Sequence, residues 1–539
     1  MIAATRICRD QTSWRLPDLG DWPRDDYHHH VVVVGAGIAG LSAGALLASR
    51  GCKVLMIEAH DRPGGCCTSW TRRVRDRDGR IQRFIFDAGV QDISGLGASR
   101  PLRKLLAAVG AEGRISWRRV FHRYVQDGLC LDFPEDSAEL ENVLCRQFPN
   151  DALGIAAFLA EIAEVYRDLH ASLDENGGPR PPDGSVEAML AWSARHSHAA
   201  RWMHCSYAEM LDAFISSTRL KHIFTTIAEY ITDQPEHLTV GEMAPLFGYY
   251  LEGGFYPVGG AQKLADLLRA IIEENGGTIR LRTRVARFLV EDECVAGVVT
   301  ANGVIHRARL VIANGDVIAA LTDLIGPCSL PSRYAQRIRA LRRGPSAILV
   351  SLGLDFVPDL PARTFVSVEN LHFGIGNPSV IDSSLAPPGC AALTLLCLVG
   401  EGEATRWFGM DKPTYGRAKE AFADRMIAAT ETIIPRLRKG ILYRQTAAPP
   451  TFTRYTRAGN GNIYGAARGQ WRPPVKSPVP GLMLAGAGCQ NGPGVEAAVI
   501  SGIASANLIT GANTERSGRR GQRGEVEFLT VEEGRKAGR

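Results

Sequence analysis

Lysine is scarce in this chain, supplying nine of its 62 basic residues, and those 62 are nearly balanced by 57 Asp and Glu. A surplus of five positive charges over 539 residues is too thin to mark a nucleic-acid binder, and none is expected as a partner. The twelve cysteines include no C-x-x-C pair, so neither a zinc site nor a disulfide framework is indicated and no metal is expected. Thiols used in this way suit a reducing, cytoplasmic setting. An apolar leader core is also missing. The first 27 residues carry Arg6, Arg9, Arg15 and Arg24 instead, and a secretory signal is not expected. No internal repeat is visible. With 45% hydrophobic and 22% charged residues, the chain is neither fibrous nor disordered as a whole.

Against these absences stands a charge-free run of 19 residues, Val31 to Ser49, long enough to be tested as a membrane span. Its four glycines argue for a strand, a tight turn and a helix instead. Val31 to Val34 reads as a buried strand, the helix runs on through Arg50, and Lys53 to Ile57 forms a second strand. His28 to His30 are read as surface histidines, because adjacent side chains cannot converge on one ion.

Within that βαβ unit, Gly35-Ala36-Gly37-Ile38-Ala39-Gly40 is a G-x-G-x-x-G fingerprint. Gly35 serves the turn, Gly37 the approach of a pyrophosphate, and Gly40 the close packing of helix on strand. The N–H groups that open the helix, at Ile38 and Ala39, face the phosphates with the positive end of the helix dipole. Glu58, 23 residues after Gly35, ends the second strand where a carboxylate accepts ribose hydroxyls, with Ala59 beside it. Gly64-Gly65 follows as a second glycine pair that can pass the same pyrophosphate. No second fingerprint occurs downstream for a nicotinamide domain, and a single site on so long a chain points to a resident FAD.

Further along, residues 151–230 have helical periodicity, with Ser206 and Glu209 spaced as a capping box. Asp174 to Gly184 is a Pro/Gly excursion between helices. Leu264, Leu267, Leu268 and Ile271 stripe one helix, which Gly276-Gly277 stops. Ile279, Leu281, Val285 and Leu289 then alternate, Asn302-Gly303 signals a hairpin, and a strand at Leu310 to Ile312 runs into Asn314. Residues 346–400 read as strands and loops, and 412–436 as a charged helix.

Val31 to Trp70, Phe86-Asp87-Ala88-Gly89, Tyr256 to Gly260, Ala308 to Asp316, and Gly481 to Ala487 leading into Gly492 to Ala498 together resemble the flavin-containing amine oxidoreductases, above all the phytoene desaturase and carotenoid isomerase-like branch. The likeness runs over roughly residues 31–510 in order. It implies an α/β fold: an FAD-binding Rossmann-type domain of the GR2-like flavoprotein kind, an interleaved α+β substrate-binding domain, and a helical cap. The domain reading is an extension over 1–27, FAD-binding parts at 28–120, 256–325 and 476–511, a cap over 121–255, a substrate domain over 326–475, and a disordered tail at 512–539. The resemblance adds Val285, Asn314, Gly486, Ala487, Gly494 and Val495 to the FAD-binding residues. It also aims the helix after Gly494 at the flavin ring, where a positive dipole end favours anionic reduced flavin.

The chain departs from the family in two places. Cys66-Cys67 follow the glycine pair, where a basic or small residue is usual, and they read as small buried residues rather than reactive thiols. Glu496 stands where many desaturases have an uncharged residue and amine oxidases often a Glu. It is the first choice for an acid–base residue, with a hydrogen bond to the cofactor or to backbone as the competing role. Tyr256 and His222 follow as catalytic candidates.

What the resemblance implies of the reaction is hydride transfer to or from flavin N5 on an apolar polyene: a carotenoid, another isoprenoid, or a polyene polyketide. The outcomes it allows are desaturation, saturation, isomerisation and reductive ring closure, the last as in bacterial polyene tetramate macrolactam metabolism. NADPH is the expected diffusible reductant. The alternatives are a flavin amine oxidase, which would commonly need a Lys near N5, and a flavin-bound scaffold without catalysis. A lipid-soluble substrate would suit peripheral membrane contact. Arg333 to Arg343 reads as a basic amphipathic helix for that purpose, or as an ordinary surface helix, and Arg72 to Arg83 as a lipid contact or a solvated loop.

Overall fold

The structure, a computed structural model, describes residues 16, 29–75, 78–98, 100–134, 136–176, 185–325, 330–368 and 371–511. His28, the centre of the Pro/Gly excursion and the tail after 511 lie outside the described residues.

Four successive valines make His29–Val34 a strand apolar on both faces, and such a strand belongs in the middle of a sheet. It lies between Val54–Ile57 and Ile305–Asn314, parallel to both, and Thr278–Arg280 and Leu482–Ala485 extend the parallel part on either side. The expected alternation from Ile279 to Leu289 is broken in two. Arg282 takes φ +52°, and the chain turns to dock its N–H groups on the carbonyls of Glu58 and His60 before Val285–Glu291 resumes as a strand. That strand pairs antiparallel with Cys294–Thr300, which turns through Asn302-Gly303 into Ile305–Asn314 as the dipeptide predicts.

The membrane-length run is therefore strand, turn and helix. Its helix, Ile38–Ser49, is buried on every side because it is wedged between the sheet, the helix Gln262–Glu274 and the C-terminal helix Val495–Thr510. The C-terminal contact is close: a Cβ on Gly502 would stand 2.4 Å from the Ala39 carbonyl oxygen. Among the described residues, no helix is long and apolar enough to cross a membrane.

A second seven-stranded sheet runs Ile441–Ala447, Ser346–Leu354, Ala391–Val399, Leu371–Gly376, Arg363–Val368, His122–Gln126 and Leu129–Phe133. Its last two strands come from the start of the segment expected to be helical. The alternation of Leu129, Leu131 and Phe133 places one apolar face beneath the cap. Above that face pack the cap helices, led by Ala152–Asn176, and Ser206 and Glu209 close their expected capping box. On the opposite face Ala423, Met426 and Ile427 of Lys412–Glu431 cover Ile348, Val350 and Leu352.

The basic helix is Ser332–Arg339, and its apolar face is turned inward. Ala335 and Ile338 are buried in the first core, Tyr334 meets Trp471 edge-on, and Arg337 lies 3.8 Å over the Trp471 ring. Its apolar stripe is thus spent on packing, and no free apolar face is left for lipid. Arg72, on the hairpin Ser69–Arg75 and Ile81–Asp87, donates to Tyr443 and Gln445 at 2.9 and 3.1 Å.

Candidate active site

The fingerprint turn is held by Asn314. Its Nδ2 donates to the carbonyls of Gly35 at 3.0 Å and Gly37 at 3.3 Å, and a Cβ on Gly486 would approach its Oδ1 to 2.9 Å. Asn314 therefore joins the two ends of the chain at one point. Gly64 donates its N–H to Ala36 O at 2.7 Å, bringing the second glycine pair alongside the first, and a Cβ on Gly65 would lie 3.4 Å from the Gly37 Cα. The helix after Gly37 has no side-chain cap, leaving the N–H groups of Ile38, Ala39 and Gly40 for an outside acceptor. Glu58 takes the Ala36 N–H on Oε2 at 2.6 Å and the His60 N–H on Oε1 at 2.8 Å, and each oxygen keeps further acceptor capacity. Ala59 lies between those anchors, and Val285 begins the strand that follows the docked loop. Bare glycine backbone, uncapped N–H groups and a fixed carboxylate form a donor and acceptor set that fits a flavin adenine dinucleotide.

At the other end, Gly494 takes φ +98° and opens Val495–Thr510 without a side-chain cap. The preceding strand turns at Gly486, whose N–H donates to Ser501 Oγ at 2.9 Å, and Ala487 packs under Gly465.

Glu496, in the first turn of that helix, stands in a polar cluster assembled from four parts of the chain. Ser94 Oγ donates to its Oε2 at 2.5 Å, and Nε2 of His170 stands 3.6 Å from its Oε1, an ion-pair distance too long for a full hydrogen bond. Burial alone would raise the Glu496 carboxyl. The His170 imidazole, the Ser94 hydroxyl and the Arg100 guanidinium more than offset it and hold the group below its ordinary value. Arg100 is itself fixed by two 2.7 Å bonds from Nε to the Glu252 carboxylate and lies 4.5 Å over the Tyr166 ring.

Tyr249 links this cluster to a second one. Burial, with the Asp92 and Glu496 carboxylates nearby, drives its phenol well above the ordinary value against the opposing hydrogen bond with Ser94, and its ring stacks on Tyr230 at 4.7 Å. Beyond it, His122 Nε2 meets Asp92 Oδ2 at 2.7 Å, and Arg363 pairs with Glu229 while donating to the Tyr230 hydroxyl at 3.2 Å. The outcome is a run of buried, mostly paired ionisable groups behind the head of the C-terminal helix.

The other two catalytic candidates are elsewhere. Tyr256 is 1% exposed, and its hydroxyl donates to Asp87, which also accepts from Ser69 Oγ at 2.5 Å and from the Ala261 N–H at 3.0 Å. This tie anchors the hairpin to the start of Gln262–Glu274, a structural use of the phenol. Tyr256→Phe is accordingly expected to keep flavin and turnover while losing about 1–2 kcal/mol of stability, read by urea unfolding. His222 meets Ser367 Oγ at 3.3 Å, beside an open surface cavity with Asp127, Thr218 and Arg219. Ser367 lies four residues along its strand from Arg363, roughly 13 Å at strand rise, so the structure does not bring His222 to Glu496. Cys67 is a packing residue whose Sγ donates to Ala261 O at 3.3 Å, and Cys66 is half-buried beside it; desolvation raises Cys66 to about 11 and Cys67 further.

His170, Ser94 and Arg100 were not singled out from the sequence. The available signal was Glu252, the one charge between Pro245 and Pro257, since an isolated charge in an apolar stretch requires a buried partner.

Fold and cradle together define a dinucleotide-binding α/β protein, and comparison with known proteins narrows that class. Residues 38–510 match the family described as flavin containing amine oxidoreductase, and the chain belongs to it: it is a flavin-dependent oxidoreductase. It is 26% identical over 487 residues to all-trans-retinol 13,14-reductase of Danio rerio, covering 81% of this chain and 77% of the relative. Prolycopene isomerase of Daucus carota is also 26% identical, with 89% and 80% covered, and so is a lycopene-forming phytoene desaturase of Pseudescherichia vulneris, with 89% and 98% covered. Among solved structures, an oxidoreductase from Methanosarcina mazei superposes with TM-score 0.62 at 20% identity, over 88% of this chain and 99% of that one. A redesigned putrescine oxidase superposes with TM-score 0.58 at 17% identity, over 90% and 99%, and shares the fold.

Proposed function

We propose that the resident flavin is FAD and that the substrate is a long apolar polyene, a carotenoid, another isoprenoid or a polyene polyketide. Desaturation, saturation, isomerisation and reductive ring closure are the allowed outcomes. The observation that carries this reading is the likeness, over most of the chain, to relatives named for retinol, prolycopene and phytoene, all elongated conjugated or pre-conjugated isoprenoids. FAD would be held by Gly35 to Gly40, Glu58, Gly64-Gly65 and Asn314, and when bound it supplies hydride acceptance or donation. Glu496 holds or moves the proton that the substrate carbon gains or loses, and Ser94 orients the carboxylate. Tyr230 and Tyr249, stacked on each other beside the Glu496 cluster, make an aromatic wall of the kind along which a polyene would pack. Most other cap aromatics, among them Phe158, Tyr207, Phe224 and Phe247, pack on one another as core. For an amine oxidase, Lys263 is badly placed, because it is exposed on the outer face of its helix.

The test is anaerobic visible absorbance of the purified protein with phytoene, lycopene or retinol, and separately with NADPH. Flavin bands bleached by one polyene identify an oxidising enzyme and its substrate. Bleaching by NADPH followed by reoxidation with a polyene identifies a reductive one. Bleaching by putrescine or another amine, with no response to any polyene, would overturn the reading.

A further inference from the structure

The pairing of Glu496 with His170 asks for a role that a lone acid–base carboxylate would not need. His170 is 6% exposed on the cap helix Ala152–Asn176, and its Nδ1 lies 2.9 Å from the carbonyl oxygen of Tyr166. A carbonyl only accepts, so Nδ1 carries a proton in every state and Nε2 is the nitrogen that titrates. That Nε2 faces Glu496 Oε1, which is buried and has no hydrogen-bond donor, whereas Oε2 is satisfied by Ser94. A buried acceptor without a donor is costly, and the imidazole, 3.6 Å away, is a group able to supply one.

We propose that His170 is the proton partner of Glu496, a second acid–base residue that recharges and drains the carboxylate at the head of the C-terminal helix. The proposal rests on the reading of Glu496 as the residue that handles the substrate's proton. In one direction the Nε2–H bond of the imidazolium breaks as an O–H bond forms on Oε1. The imidazole is left neutral with Nδ1–H still donated to Tyr166, and the carboxylic acid is ready to deliver its proton. The reverse step drains a proton taken from substrate. No electrons move in either step. The 3.6 Å gap must close by roughly 0.7 Å to reach hydrogen-bond length, a side-chain adjustment.

The groups facing the dyad from its neighbours fix its charge. Tyr166 packs against His170 from the same helix, the rings tilted by 45° with centroids 4.2 Å apart. Arg100 approaches Glu496 from the segment after Ser94, with Glu252 taking up part of its charge, and Tyr249 completes the ring of neighbours. Ser94 and Arg100 favour the carboxylate over the acid.

The experiment uses the full-length flavin-loaded protein without substrate. The flavin midpoint potential is measured from about pH 5 to 9, the range in which an imidazole titrates. His170→Gln and Ser94→Ala are compared with the unaltered chain, and the His170 ring is followed by NMR. A dyad beside the flavin gives the potential a change of slope where the dyad titrates. His170→Gln removes one partner of the dyad and abolishes that change of slope, and Ser94→Ala, which takes a hydrogen bond from the carboxylate, displaces it. In Glu496→Gln the change of slope is displaced, and the pH response of the His170 ring signals differs from that in the unaltered chain. If potential profiles coincide in all four proteins, or His170 titrates alike with Glu and Gln at 496, the proposal is overturned. Should His170→Gln fail to fold, Ser94→Ala and the NMR comparison decide the matter. Because no polyene is used, a wrong substrate class leaves this test intact.

Discussion

Gly35→Ala should yield a protein that purifies without flavin and has lost about 3 kcal/mol or more of stability. Two separate costs converge at this residue. Its φ of +96° is open to glycine and strained for any side chain, and a Cβ there would stand 2.0 Å from the backbone carbonyl oxygen of Asn314. A backbone atom cannot swing aside as a flexible side chain would. The strand carrying Asn314 would have to move away from the fingerprint turn, breaking the bonds from Asn314 to Gly35 and Gly37 that shape the pyrophosphate cradle. Gly51→Ala separates the two costs. Its φ is +84°, but a Cβ there would meet nothing within 4 Å, so it should cost about 1 kcal/mol and keep its flavin. Visible absorbance of each purified variant, with its urea midpoint, checks both statements. Retention of flavin by Gly35→Ala would mean that the cradle is not where the cofactor sits.

That cradle was legible because its parts are close in sequence and each answers a local demand: a turn, an approach, an exposed helix start, an acid ending the next strand. Asn314 was reached only through the resemblance, since nothing in a strand ending Ala-Asn-Gly says that its amide will clamp a turn 279 residues away. The polar cluster around Glu496 was largely hidden for the same reason. Ser94 and Glu496 are 402 residues apart, and Arg100 and Glu252 are 152 apart, so no spacing rule links them. Glu496 was found by its departure from the family, whereas His170 looked like any other polar residue on an amphipathic helix. Tyr256 and His222 illustrate the opposite difficulty. A polar side chain in a motif region can equally be a tie between elements, and only the partner atoms, Asp87 in one case and Ser367 in the other, tell the two uses apart. The basic helix failed as a lipid surface because amphipathicity reports that one face is covered and is silent on what covers it.

The buried pair of Arg363 and Glu229 carries the second large prediction, that Arg363→Met costs about 3–5 kcal/mol near neutral pH. The Arg363 guanidinium is 2% exposed and lies 4.2 Å over the Phe365 ring. It has room only because residue 374 on the next strand is glycine, where a Cβ would fall 1.6 Å from Nη1. Gly374→Ala should therefore expel the guanidinium and mimic Arg363→Met, and the double variant should cost little more than either single one, since both remove the same contact. Burial raises the Glu229 carboxyl, and Arg363 pulls it back without fully offsetting that. With the cation gone it must rise further. An acid whose folded value lies above its unfolded one penalises the fold when ionised. The deficit is then full well above the folded value and fades as pH falls toward the unfolded value of roughly 4.3. Urea unfolding of both variants against the unaltered chain, at neutral pH and again near pH 5, should show the gap narrowing on acidification. A gap that stayed constant would mean that lost packing on Phe365 and Tyr230, rather than a stranded carboxylate, sets the cost.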